Sequence, residues 1–202
     1  MQAVIVVGVP GAGKSTVVDK IAKLCKEYTL VNVGDMMLEV GKKKGYLTEK
    51  DNHDTMRGRS NEERQELIRE VFNEIAKMKG DVIIDTHASI SKHGRFMPGL
   101  PGDVISGLKD SLKGVICIDA PTESIILRRE RDTTRQRDVD SIEMIDMQRM
   151  INVSMVSAIA QRYDAPLYVL FNQENMQEES AMRFKRYIDN AFKGTPNENM
   201  HK

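Results

Sequence analysis

A chain of 202 residues has room for one α/β domain with a sizeable core. Its 30 basic and 30 acidic residues cancel, so bulk charge gives no reason to expect nucleic acid or an anionic membrane as a partner. The longest apolar run is far too short to span a bilayer.

In chain order, residues 2–7 form a short, apolar, β-branched run and read as a fully buried strand. Gly8-Val9-Pro10-Gly11-Ala12-Gly13-Lys14-Ser15-Thr16 follows and fits G-x-x-x-x-G-K-[S/T] at every fixed position. Val17, Ile21, Leu24 and Tyr28 then recur at helical spacing. Strand, glycine loop and helix thus come in the order that the motif requires. Glycines let backbone N–H groups wrap a phosphate chain, and the helix N-terminus adds partial positive charge. Lys14 would reach the β- and γ-phosphates, and the Ser15 hydroxyl would ligate Mg²⁺.

A second strand, 29–33, ends in Gly34-Asp35, which opens a short helix over 36–43. Arg57 lies in the polar stretch 48–60 and is placed to hold a second anion. Ser60 and Glu63 form a capping-box pair at the start of a helix over 61–78, which carries Leu67, Ile68, Val71, Phe72 and Ile75 on one face. The third strand, 81–86, closes on Asp85, the acid expected to orient Mg²⁺ directly or through water. Pro98-Gly99-Leu100-Pro101 makes residues 94–102 a stiff loop that either walls a pocket or turns the chain. His87 and His93 share this region without further ligands and are not read as a metal site.

The fourth strand, 115–119, ends in Asp119, and a helix begins near Pro121. Arg128, Arg129, Arg131, Arg135 and Arg137 then fall within eleven residues. One reading is a solvated helix end, ion-paired with Glu130, Asp132 and Asp138. The reading preferred here is a lid that brings arginine forks over bound phosphates. A long helix over 141–163 precedes a fifth strand at 167–171, a final helix spans 178–192, and 194–202 reads as a frayed tail. The long helix has apolar residues on more than one face, as a subunit interface or deep burial would require. Cys25 and Cys117 read as small buried hydrophobes in a reducing cytoplasm, and no Cys/His cluster has zinc spacing. No basic leader segment precedes the first strand, so a cytoplasmic location is expected.

Five short, continuously apolar strands alternating with helices predict a parallel sheet covered on both faces. Ligands of such sheets bind beyond the carboxyl ends of the strands, where the glycine loop, Gly34-Asp35, Asp85 and Asp119 all fall.

The glycine loop, Val31-Asn-Val-Gly-Asp-Met-Met37, Asp85-Thr-His87, Pro98-Gly-Leu-Pro101 and the arginine segment occur together, in this order, in archaeal-type adenylate kinases, which the chain resembles from about residue 1 to 190. The resemblance implies a three-layer α/β/α P-loop kinase fold with a five-stranded parallel sheet. It implies one kinase domain over 1–193, with an AMP-side segment about 34–79 and a short lid about 128–140. It implies reversible, Mg²⁺-dependent phosphoryl transfer from ATP to AMP, and a homotrimer. By position, Gly8, Val9, Pro10, Gly11, Ala12, Gly13, Lys14, Ser15 and Thr16 would bind ATP. Gly34, Asp35 and Arg57 would serve the AMP side, and Asp85 would support Mg²⁺. Arg128 would stack on the donor base, while Arg135 and Arg137 would clamp phosphates. Bacterial adenylate kinases carry Asp-Gly-Phe-Pro-Arg where this chain has Asp85-Thr86-His87, which removes one phosphate-binding arginine.

An AMP phosphate oxygen is already anionic near pH 7, so no general base is needed. Catalysis then reduces to alignment, charge neutralisation and exclusion of water. The main rival is a kinase for another nucleoside monophosphate or small acceptor. A nucleotide-driven assembly ATPase ranks below it. A GTP switch lacks support, since no Asp-x-x-Gly or Asn-Lys-x-Asp follows the glycine loop.

Overall fold

The computed structural model describes residues 1–92, 94–132 and 141–194, without the side chains of Asp54, Arg57 and Lys92. Its main sheet has five parallel strands: β1 (Gln2–Gly8), β2 (Thr29–Asn32), β3 (Asp81–Asp85), β6 (Leu112–Asp119) and β7 (Leu167–Phe171). They lie in the order β2-β3-β1-β6-β7, with β1 at the centre.

The apolar runs read as strands because both faces of the sheet are covered. Along β1, Ala3, Ile5 and Val7 enter one core, and Val4 and Val6 enter the other. The first core lies under α4 (Asn61–Ile75) and α6 (Ile142–Arg162), through residues such as Leu67, Val71, Val156 and Ile159. The second lies under α1 (Lys14–Leu24), α5 (Thr122–Arg131) and α7 (Gln177–Lys193), through Val17, Ile21, Ile125, Phe184 and Ile188. The expected three-layer α/β/α arrangement is therefore present. No helix among the described residues is long and apolar enough to cross a membrane.

Several boundaries differ from expectation for local reasons. The helix expected over 36–43 begins at Val33, as α2 (Val33–Lys43), because Asn32 rather than a later residue caps it. The Ser60–Glu63 capping box forms in full, and α4 ends at Ile75. Residues expected to be loop form an antiparallel hairpin, β4 (Ser89–Lys92) and β5 (Arg95–Pro98). The stiff segment after it turns back onto the strand end: Gly99 donates its N–H to the Ala88 carbonyl at 2.8 Å. A Cβ on Gly99 would lie 2.1 Å from the His87 carbonyl oxygen, so no larger residue fits there. A short helix, α3 (His53–Gly58), and a 3₁₀ turn, Val104–Leu108, were not foreseen.

On α6 the apolar residues do divide between faces. Ile145, Val156 and Ile159 are buried, while Ile142, Met147 and Met150 are exposed. Gln148 and Asn152 point inward, where Gln148 accepts from Arg129 at 2.8 Å and Asn152 contacts the Cys117 sulfur. Burial in that core, with Asp119 nearby, pushes the Cys117 thiol up to about 12, so it stays protonated and inert.

Candidate active site

From β1 the chain runs outward through α1 to the edge strand β2, returns through β3, and later crosses to β6 on the opposite side. The connections diverge at the carboxyl end of β1, so a crevice opens over β1 and β3. The glycine loop and Asp85 both lie there.

Gly11 and Gly13 have φ of +92° and +84°, which residues with a Cβ rarely adopt. Space is short as well: a Cβ on Gly13 would lie 2.2 Å from the Asn172 amide nitrogen. The loop is tied down from behind. Asn172 donates to the Ala12 carbonyl at 2.9 Å, Arg128 Nη1 to the same oxygen at 3.1 Å, and Arg129 Nε to the Pro10 carbonyl at 2.9 Å. The first N–H groups of α1 have no intrahelical acceptor, so the front of the loop is a ready anion site.

Lys14 is not a freely solvated loop residue. It is the first residue of α1, is 9% exposed, and pairs with Oδ1 of Asp85, itself 5% exposed. The second Asp85 oxygen accepts from Asn32 Nδ2 at 2.9 Å. Asn32 Oδ1 in turn accepts the backbone N–H of Asp35 at 3.1 Å, and Asp35 Oδ1 lies 3.0 Å from His53 Nε2. One chain of contacts therefore runs from the phosphate loop to the head of α2, joining Lys14, Asp85 and the Gly34-Asp35 pair. Asp35 sits in the first turn of α2 and is not its cap.

Ser15 is exposed at the start of α1. Its hydroxyl and the Asp85 carboxylate are hard oxygen donors of the kind that suits Mg²⁺. No group of three or more His, Cys, Asp or Glu able to hold a metal ion exists among the described residues. Magnesium commonly takes one or two protein oxygens and completes its shell with phosphate and water, so this sparse donor set fits it.

Arg128 is fixed along its edge. Nε pairs with Glu174 at 3.0 Å, Nη1 bonds Ala12, and Nη2 donates to the Asn172 carbonyl at 3.0 Å. It braces the loop, a role the sequence reading did not assign. The edge acid Asp119 is likewise committed: Arg149 grips it bidentately, at 2.9 Å through both Nε and Nη2. Arg149 Nη1 also reaches Thr122 and Asp146, tying α5 to α6, and the two carboxylates hold its guanidinium above its ordinary pKa. Arg57 belongs to α3 by its backbone, with its side chain outside the described residues. Arg135 and Arg137 lie outside them altogether.

Asn32, Arg149, Asn172 and Glu174 escaped the sequence reading. Asn32 and Asn172 stand at strand ends on the ligand edge, the one signal that could have raised them.

A family model described as an AAA domain matches residues 7–146. A curated adenylate kinase from Methanothermobacter thermautotrophicus is 32% identical over 191 residues, covering 94% of this chain and all of the relative. One from Thermoplasma acidophilum is 35% identical over 177 residues, covering 88% of this chain and 93% of the relative. The chain belongs to the adenylate kinase family. Among solved structures, shikimate kinase from Bacteroides thetaiotaomicron superposes with a TM-score of 0.58 at 16% identity, covering 93% of this chain and 98% of that one. A gluconokinase from Sinorhizobium meliloti gives 0.53 at 14%, covering 96% and 98%. At such identities these two show the fold alone: adenylate kinases share their architecture with kinases of quite different acceptors.

Proposed function

We propose that the chain moves the γ-phosphoryl group of ATP to AMP, reversibly, giving two ADP. The observation that carries this reading is the meeting of Lys14 and Asp85 over β1 and β3, one hydrogen bond from the head of α2. An AMP phosphate oxygen attacks the γ-phosphorus as the bond to the β,γ-bridging oxygen breaks, and the leaving oxygen departs with ADP. Gly8 to Thr16 hold the donor phosphates, and Lys14 neutralises charge on them. Ser15 and Asp85 would hold Mg²⁺, which supplies further charge neutralisation at the donor phosphates. Gly34, Asp35 and Arg57 serve the acceptor. Arg128, with its edge already bonded, keeps its flat face for the donor base. Arg135 and Arg137 close over both phosphate chains. The work is done in the cytoplasm.

A compound tethering two adenosines through a phosphate chain tests this arrangement. It should inhibit at far lower concentration than ATP or AMP alone, because binding one end makes binding of the other intramolecular. Inhibition no stronger than that of ATP would overturn the two-site reading.

The enzyme assembles as a homotrimer in this reading. The exposed Ile142, Met147 and Met150 on α6 support such a contact. Light scattering should give three times the 22.9 kDa chain mass, and a mass near one chain would reject assembly.

A further inference from the structure

We propose that Asn32 is a positioning residue that holds Asp85 in place when Lys14 is surrendered to the donor phosphates. The inference rests on the reading of Lys14 and Asp85 as the donor site. Asn32 uses both ends of one amide: Oδ1 accepts from the Asp35 N–H, and Nδ2 donates to Asp85 Oδ2. Reversing the amide would set NH₂ against an N–H and oxygen against a carboxylate, so the orientation is fixed.

Asp85 is nearly dry, and its two oxygens are divided between two donors, Lys14 on Oδ1 and Asn32 on Oδ2. Phosphates that recruit Lys14 must draw it from this carboxylate. A buried carboxylate that loses its cation is costly unless other donors remain. Asn32 remains, because its far end is locked into the cap of α2. It thereby lowers the cost of releasing Lys14 and keeps the freed Oδ1 facing the site. Without the Nδ2 donor, Asp85 competes harder for Lys14 and phosphate binding weakens.

The cap and the donor can be separated by substitution. Serine at an N-cap still accepts a backbone N–H but is too short to reach Asp85. Asn32→Ser should therefore melt somewhat below wild type, losing only the bond to Asp85, whereas Asn32→Ala, which loses the cap too, should melt lower still. Both should bind ATP in EDTA roughly tenfold more weakly by calorimetry, the loss expected when a hydrogen bond to a charged group disappears. In an Asp85→Asn background the same Asn32→Ser change should leave ATP affinity unaltered, because no carboxylate then competes for Lys14. Lys14→Ala in the same titration marks the donor site itself. If Lys14→Ala loses affinity while Asn32→Ser binds as wild type, Asn32 is a helix cap only and the inference falls alone. A loss that persists in the Asp85→Asn background also overturns it. If Lys14→Ala binds ATP as wild type does, the donor-site reading fails and takes the inference with it.

Discussion

Lys14→Ala should cut phosphoryl transfer by ~100- to 1,000-fold, the usual cost of removing one preorganised charge-stabilising donor from a transition state. It should also destabilise the protein, which the sequence alone did not suggest. A loop lysine contributes little to packing, but this one is nearly buried against a nearly buried aspartate. Removing one partner of such a pair strands the other, at about 3 kcal/mol or more. Asn32 remains on Asp85, which holds the loss toward the lower end. The two effects come apart in the double variant Lys14→Ala/Asp85→Asn. Denaturant melts should show much of the stability restored, and kinetics should show no recovery of turnover. Near-normal turnover in a folded Lys14→Ala protein would refute the donor-site assignment.

Arg137→Ala should lower kcat by roughly 100-fold and weaken ATP binding much less, because an arginine that closes over both substrates acts mainly in the transition state. Arg135→Ala should move in the same direction. The segment that holds both arginines leaves from α5 and returns through α6. Arg128 and Arg129 anchor the first of these helices to the glycine loop, and Arg149 of the second bonds Thr122 at the start of the first and Asp119 at the end of β6. The helix before the segment thus adjoins the glycine loop, and the helix after it is bonded to that helix. Unchanged kcat in both variants at saturating substrate would make the segment a solvated charge cluster.

Much of the fold was legible because its signals are local. The central strands β1 and β3 are nearly continuous apolar runs, because burial on both faces leaves little room for polar positions. The edge strand 167–171 is legible to the residue from its apolar run, although Val169 and Phe171 are exposed. The hairpin formed by β4 and β5 was not legible. Ile90, Phe96 and Met97 are its main apolar residues, and Pro98 at its end reads as a turn. At the site, the glycine loop and Asp85 were legible from motif and strand end. What joins them was not. Asn32 meets Asp85 across 53 positions and Asn172 meets Ala12 across 160, and no periodicity encodes such contacts. Arg149 reads as one more polar residue on a methionine-rich helix until the end of β6 is brought beside it.

Initial rates with ATP, Mg²⁺ and a panel of acceptors (AMP, GMP, CMP, UMP and shikimate) test the central claim most directly. AMP should be the fastest acceptor, with two ADP formed for each ATP consumed. Faster transfer to CMP, UMP or shikimate than to AMP, or ATP consumption indifferent to any acceptor, would contradict it.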